Sequence, residues 1–168
     1  MKRGCLYCYS GNMDRAIEVF HGFYPGIRLI YPQRIRRRRL TGNAYIDEIV
    51  PLLPGYLFFE TDRDLPKNKL ARTDYLLRLL TYTGGEWVLH GADDFLAKAL
   101  FDAEGVIGLS TAYYDTNRRI RIVDGFLKPY QDSIVRVNHR KRTAEINISL
   151  QDQVTDLWLG FELIEPAA

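Results

Sequence analysis

The chain has 168 residues, of which 46% are apolar and 12% aromatic, with 23 Lys and Arg against 21 Asp and Glu. This composition excludes disorder as the main state, because it supplies enough apolar surface for one medium or two small packed cores. A formal net charge of +2 gives no argument for a polyanionic partner, so any such argument depends on where the charges lie.

The first third of the chain predicts a strand, a helix and a second strand. The side chains of residues 5–9 are expected to alternate between two faces, as in a strand. Residues 10–12 read Ser-Gly-Asn, a turn that also supplies an N-cap for a helix. A helix ending at Gly22 follows, because apolar residues recur at helical spacing: Met13, Ala16, Ile17, Phe20 and Phe23. The second strand is expected at residues 27–31.

The middle of the chain predicts a bend, a buried strand and a helix. Residues 49–59 are apolar, and residues 53–56 must bend because Pro54 lacks a donor and Gly55 tolerates positive φ. Residues 57–59 then predict a buried strand. A weak helix is expected from Asp64 and Pro66 towards residues 76–80. A clearer helix covers residues 93–102, with acids in its first turn and Gly105 after its end.

Beyond Gly105 the apolar period changes to two. The alternation marks four short strands, near residues 120–122, 134–137, 144–150 and 157–163. Strands this short, joined by tight turns, favour a small five-stranded β-barrel that closes its own edges. The predicted fold class is therefore α+β: an antiparallel sheet with covering helices over residues 1–105, a linker at 106–117 and a barrel at 118–168.

Two clusters of basic residues interrupt this pattern. Residues 34–39 read Arg-Ile-Arg-Arg-Arg-Arg, and residues 118–142 hold eight Lys and Arg against two Asp. A polyelectrolyte partner responds to such local clusters. Each cluster taken alone is equally typical of a solvated face or loop.

The residues that carry catalytic or metal chemistry are few. Cys5 and Cys8 form a single Cys-x-x-C without a second pair, so we interpret them as small buried residues and expect no metal and no cofactor. No phosphate-binding loop, nucleophile elbow or zinc-protease motif is present, which favours a protein that is not an enzyme, with a nuclease as a weak alternative. The N-terminus lacks a signal-peptide pattern and no apolar run reaches membrane-spanning length, so we expect a cytoplasmic location and no membrane partner.

The layout resembles the NusG family of transcription factors, which have an NGN domain followed by an SH3-like KOW barrel. The resemblance is carried by Tyr-Ser-Gly at 9–11, Pro-Gly-Tyr at 54–56 and Val-Asp-Gly at 123–125. Residues 105–113, 122–125 and 137–142 are most similar to specialised LoaP-type paralogues. The glycine-rich loop typical of the KOW barrel keeps only Gly125 here, which departs from the family pattern.

The resemblance implies sites for two kinds of partner. One is RNA polymerase, whose clamp helices in the largest subunit would contact Tyr7, Tyr9, Leu53, Pro54, Gly55 and Tyr56. The other is nucleic acid. Arg36, Arg37, Arg38 and Arg39 would lie in a loop near upstream DNA. An RNA hairpin in the nascent transcript would contact the barrel through Arg118, Arg119, Lys128, His139, Arg140, Lys141 and Arg142.

The leading hypothesis from this resemblance is a monomeric processive antitermination factor. A second hypothesis within the family is a general elongation factor whose barrel binds ribosomal protein S10 or the termination factor Rho. The cationic turn at residues 138–142 counts against it, because a protein partner of that kind favours an apolar face. A third is a ribosome-associated KOW protein that makes no contact with polymerase.

Overall fold

The computed structural model describes residues 1–9, 11–65 and 77–165. The protein is α+β, mostly strands with few helices, and its several sheets include a curled half-barrel. The elements are, in chain order, β1 (Lys2–Cys8), α1 (Met13–Phe23), β2 (Arg28–Ile30), β3 (Gln33–Arg39), β4 (Tyr45–Pro51), β5 (Tyr56–Thr61), β6 (Leu77–Leu79), α2 (Gly91–Asp102), β7 (Val106–Ile107), β8 (Ser110–Tyr114), β9 (Ile120–Asp124), β10 (Ile134–Asn138), β11 (Thr143–Leu150) and β12 (Gln153–Leu163).

The chain divides into two compact units. The first unit holds residues 1–32, 53–105 and 149–153, and the second holds residues 33–52, 106–148 and 154–168. This division differs from the predicted boundaries, which placed residues 33–52 in the first domain and treated 106–117 as a linker. Among the described residues, no helix combines the length and apolar character that a membrane crossing requires.

The first unit is built on a four-stranded antiparallel sheet in the order β2-β5-β1-β6. Helix α1 begins at Met13 as predicted, because the Asn12 side chain accepts a hydrogen bond from the Arg15 N–H at 3.1 Å and caps its first turn. Phe20 from this helix packs against Phe59 of the sheet, with ring centroids 5.7 Å apart. Burial of these rings with Leu6, Leu57 and other apolar side chains forms the core of the unit.

Helix α2 confirms the prediction over residues 93–102, and it starts two residues earlier. Both acids of its first turn have partners. Asp94 lies 3.0 Å from the Arg3 guanidinium, whereas Asp93 is buried and accepts hydrogen bonds from the Tyr82 hydroxyl at 2.6 Å and the Gln151 N–H at 3.0 Å. These bonds add to the stabilisation that a carboxylate gains from the helix dipole.

The helix expected from Asp64 lies largely outside the described residues. Residues 66–76 are not described, and residues 77–79, where that helix was expected to end, form strand β6 instead. Strand β6 pairs with β1 at the edge of the sheet, with Leu77 opposite Cys8. The pairing with β1 therefore overrides the helical preference of the leucines in this segment.

The second unit contains a five-stranded sheet in the order β10-β11-β12-β8-β9. Its strands β9 to β12 lie where the period of two predicted four strands. Alternate residues such as Ile120 and Ile122 of β9 are buried, whereas β10 has no buried residue. The fifth strand, β8, lies inside the predicted linker. It pairs antiparallel with β9 and parallel with β12.

The outer edge of β9 is covered by a side chain rather than by a strand. Gln131, in the 3-10 helix Lys128–Ser133, accepts a bond from the Ile122 N–H at 2.6 Å and donates one to the Ile120 carbonyl at 3.0 Å. The Lys128 ammonium donates to the Ile122 carbonyl at 3.0 Å. Backbone groups that an edge strand would leave unpaired are thereby satisfied.

The arginine run forms strand β3, which corrects its expected placement in a loop. Strand β3 pairs antiparallel with β4 over seven residues and parallel with β7 over two, in the sheet order β4-β3-β7. The register sets Arg36 opposite Glu48 and Arg37 opposite Asp47. Opposite charges directly across an antiparallel pair stabilise it, so this strand is specified by cross-strand charge rather than by an apolar period.

Candidate nucleic-acid interface

The two basic clusters of the sequence meet in one open cavity of the second unit. We call this cavity the basic groove; it has a volume of about 940 Å³. Strand β3 forms one side and the β10–β11 turn forms the other, so residues about one hundred positions apart share a surface. The lining residues are Arg34, residues 36–41, Tyr45, Asn138, residues 140–143 and Trp158.

The charge of the basic groove is of one sign. Eight Arg and Lys side chains line it, and none of the described residues that line it is acidic. Guanidinium groups in such number suit phosphate, because each presents several N–H donors in a planar fork. A concave surface of one charge also concentrates its field and attracts the opposite charge from a distance.

Three arginines of β3 are held by carboxylates from within the unit. Glu48 accepts from Arg36 and from Arg38, each at 2.7 Å, and Asp47 accepts from Arg37 at 3.0 Å. The hydrogen bond from Arg36, with the nearby Arg38 charge, lowers the pKa of Glu48. The hydrogen bond to Asp47 raises the pKa of Arg37. These carboxylates compensate part of the positive charge beside the groove.

The other basic residues of the groove have no such compensation. Arg39 bonds to the neutral Asn43 side chain. Within the described chain, no carboxylate forms an ion pair with any of the five uncompensated cations of the groove, which are Arg34, Arg39, Arg140, Lys141 and Arg142. These five therefore carry most of the attraction that the groove exerts on a polyanion.

The β10–β11 turn presents its cations on a defined backbone. The Asn138 side chain accepts from the Lys141 N–H at 2.9 Å, a turn-stabilising bond typical of asparagine. Arg142 has a φ of 54° and precedes β11, so its left-handed conformation ends the turn. His139 does not line the groove. Its Nδ1 lies 2.6 Å from the Tyr114 hydroxyl.

The remaining basic residues that the sequence grouped with this turn lie elsewhere in the second unit. Arg118 and Arg119 belong to the β8–β9 turn, where both backbone N–H groups bond to Asp115 at 2.9 Å. Lys128 uses its ammonium on the backbone of β9. None of the three lines the groove. Their predicted contact with RNA stays a prediction, and it concerns a different surface.

The groove contains residues that the sequence analysis did not select. Arg34 opens the arginine run, and its buried Nη1 has no hydrogen-bond partner in the part of the chain that the structure describes. Burial, with the neighbouring Arg36 charge, lowers the pKa of Arg34. Tyr45 on β4 and Trp158 on β12 supply aromatic rings. The alternation along β12 indicates the position of Trp158. Leu157 and Leu159 are buried, and successive side chains of a strand face opposite sides, so Trp158 faces away from that core.

A separate aromatic surface lies on the first unit. We call it the tyrosine patch, made by Tyr7, Tyr9 and Tyr56. The Tyr7 ring meets both others edge-on, with centroids 5.1 Å from Tyr9 and 5.2 Å from Tyr56. Tyr9 is 56% exposed. Gly55 has a φ of 89° and allows the close approach of Tyr7, because a Cβ at Gly55 would lie 2.7 Å from that ring.

The other residues of the predicted polymerase contact are placed differently. Leu53 is only 3% exposed and belongs to the core, which corrects its expected place on a docking surface. Its carbonyl accepts the Tyr56 N–H at 3.1 Å and so closes the bend. Pro54 is exposed at the corner. The bend thus presents Pro54 and Tyr56 while Leu53 anchors it.

The two cysteines lie in the interior of the first unit. Cys5 and Cys8 are both buried. Burial raises the pKa of the Cys5 thiol. Across residues 1–9, 11–65 and 77–165, no cluster of three or more His, Cys, Asp or Glu side chains has an arrangement that suits a metal ion.

No protein-family model matches the chain, and no curated protein matches it significantly.

Proposed function

We propose that this protein is a NusG-like transcription factor that binds an RNA hairpin through the basic groove and RNA polymerase through the tyrosine patch, and that it promotes processive antitermination. The observation that carries the proposal is the convergence of β3 and the β10–β11 turn on one groove without acidic lining. Two basic segments that were unconnected in sequence become one site. Neither segment alone distinguishes a binding site from a solvated face, and their meeting in one cavity favours a binding site.

The two units also fit the two domains of that family. Within the described residues, the first unit has an antiparallel sheet with helices α1 and α2, as an NGN domain would, and the second has a five-stranded sheet, as a KOW domain would. Strand β3 extends the proposed nucleic-acid domain, because residues 33–52 group with the second unit. We therefore assign Arg39 and its neighbours to the RNA site rather than to a separate contact with upstream DNA.

The groove assignment is tested by two variants of equal charge. Arg140→Gln with Lys141→Gln removes two positive charges from the groove, and Arg118→Asn with Arg119→Gln removes two from the β8–β9 turn. Binding of the full chain to a stem-loop RNA is measured by fluorescence anisotropy at several salt concentrations. We expect the groove variant to reduce the magnitude of the slope of log K against log salt by about 1.4, at about 0.7 per phosphate contact.

The control variant is expected to leave the salt slope near the wild-type value. Asn is used at position 118 because the residue there has a φ of 60°, which Asn tolerates. Equal losses in both variants would show that the RNA responds to net charge alone and would contradict the groove as its site.

The polymerase contact is tested on the first unit. Aromatic side chains with an exposed polar end are enriched at protein interfaces, which suits the tyrosine patch to a helical partner. Tyr9→Ala with Tyr56→Ala is compared with Phe95→Ala on helix α2, since Phe95 is 53% exposed and resembles Tyr9 in this respect. We expect the patch variant to lose binding to core RNA polymerase by about tenfold or more, as removal of interface anchors does. Equal binding by both variants would refute the patch.

A further inference from the structure

The most unusual residue of the basic groove is Arg34. Its Nη1 is buried and has no hydrogen-bond partner among the described residues, although a guanidinium normally satisfies its donors when it leaves water. The register of β3 with β4 explains why no carboxylate lies opposite Arg34. Arg36 and Arg37 face Glu48 and Asp47 across β4, whereas Arg34 faces Val50. Among the described residues, carboxylates therefore pair with Arg36 and Arg37 and none pairs with Arg34.

An aromatic ring lies in the same cavity. Trp158 is partly buried and lines the groove. The Arg136 guanidinium lies 5.6 Å from the centre of this ring, and Arg136 is itself held 2.8 Å from the buried Glu145. The indole is therefore positioned by a cation–π contact and an ion pair. Tyr45, which is 52% exposed, adds a second ring to the lining.

Together these groups match the parts of a nucleotide. A phosphate supplies acceptor oxygens for the guanidinium of Arg34, which lines the groove, and a base supplies a flat face for Trp158. Bases in a duplex are stacked on one another and cannot reach an aromatic ring, whereas bases in a loop are available. The volume of about 940 Å³ is within the range of cavities that enclose small ligands, roughly 300 to 1,000 Å³.

We propose that the basic groove contains a subsite for an unpaired nucleotide of the RNA hairpin, with its phosphate on Arg34 and its base on Trp158. This inference rests on the proposed RNA function and adds the part of the RNA that is recognised. The uncompensated cations of the β10–β11 turn contact the backbone on either side. The site therefore prefers a stem with an unpaired loop over an uninterrupted duplex.

The subsite is tested by the intrinsic fluorescence of the full chain. The sequence has two tryptophans, and Trp87 is 6% exposed in the core of the first unit. Stacking of a base therefore quenches chiefly Trp158. We expect quenching on titration with a stem-loop RNA, no quenching with a blunt RNA duplex of equal charge, and no quenching in Trp158→Phe.

Affinity measurements on variants give an independent readout. We expect Arg34→Gln to weaken binding of the stem-loop by about tenfold, as loss of a charged contact does, and to change binding of the duplex by less than twofold. Arg34→Lys retains the positive charge, so its affinity for the stem-loop is expected to lie between those of the wild type and Arg34→Gln. Far-UV circular dichroism checks that each variant is folded. The comparison of quenching by stem-loop and duplex uses the wild-type chain, so it tests the subsite even if a variant does not fold.

The outcomes separate this inference from the proposed function. If stem-loop and duplex bind equally without quenching, while Arg140→Gln with Lys141→Gln still weakens both, the groove binds RNA and the subsite is refuted. If no RNA binds, both proposals fail. A DNA stem-loop that binds and quenches as well as RNA of the same sequence would overturn the assignment to RNA.

Discussion

Glu48 offers a single substitution that should increase nucleic-acid binding. Its carboxylate holds both Arg36 and Arg38 at 2.7 Å, so Glu48→Gln releases two guanidinium groups that line the basic groove. An exposed ion pair of this kind contributes little to stability, because water screens it. The substitution should therefore leave the fold intact while raising the number of cations that a phosphate backbone can reach.

The size of the effect follows from the charges of the groove. Five of its eight cations lack a carboxylate partner among the described residues, which predicts a salt slope of about −3.5 on a single strand at about 0.7 per contact. Release of Arg36 and Arg38 in Glu48→Gln adds two uncompensated cations to these five, which predicts a salt slope of about −4.9. Between about 200 and 50 mM salt, the variant should gain about sevenfold in affinity beyond the gain of the wild type.

The assay is fluorescence anisotropy of a labelled stem-loop RNA over that salt range. Asp132→Asn is the matched control, because it also removes one negative charge from the second unit but lies outside the groove, on the 3-10 helix Lys128–Ser133. The slope of this control should equal that of the wild type. The reasoning is refuted if Glu48→Gln and Asp132→Asn change the slope equally, or if neither changes it.

Three further predictions concern the first unit. Gly55→Ala should lower the free energy of unfolding by about 1–3 kcal/mol in urea, because its Cβ would meet the Tyr7 ring at 2.7 Å, whereas Gly26→Ala, at a similar φ but in open space, should cost less. Burial raises the pKa of Tyr82 from 10.0 to about 12, so its contribution to stability is complete below pH 10 and is lost as the pH rises through 12. Tyr82→Phe should therefore flatten the fall in stability across that window, and an equal fall would contradict the assignment. The buried Cys5 thiol should react with a thiol reagent only after denaturant is added, and rapid reaction in the native state would be contrary to this packing.

Local patterns were sufficient to predict helices α1 and α2 and the strands with alternating burial. Helix α1 and strands such as β11 place one apolar face on a core, and that periodicity is visible in a single sequence. Strand β8 escaped prediction because the residues on its buried face are Ser110 and Ala112. They are too small to mark a face, so the segment resembled a linker.

The arginine strand could not be predicted because its partner is distant in sequence. Residues 33–39 contain one apolar residue, Ile35, and show no period of two. The strand forms where Asp47 and Glu48 of β4 meet the arginines in register, and such a pairing is not visible before both strands are aligned. For the same reason, the groove itself was not foreseen, although both of its basic segments were.

The tyrosine patch shows a limit of another kind. The bend at Pro54 and Gly55 follows from residue chemistry, but the direction of each neighbouring side chain does not. Leu53 was expected on the surface and lies in the core, whereas Tyr56 remains partly exposed. An apolar residue beside a turn can lie on the surface or in the core, and the packing of the surrounding residues decides between these positions.

The central claim is that β3 and the β10–β11 turn form one RNA site. The most direct test is ultraviolet crosslinking of the full chain to a stem-loop RNA, followed by mass spectrometry of the crosslinked peptides. The account predicts crosslinks on peptides that contain Tyr45 and Trp158 and on the peptide of residues 138–143, all competed by the same unlabelled RNA. Crosslinks confined to the first unit, or to the β8–β9 turn that carries Arg118, would contradict it.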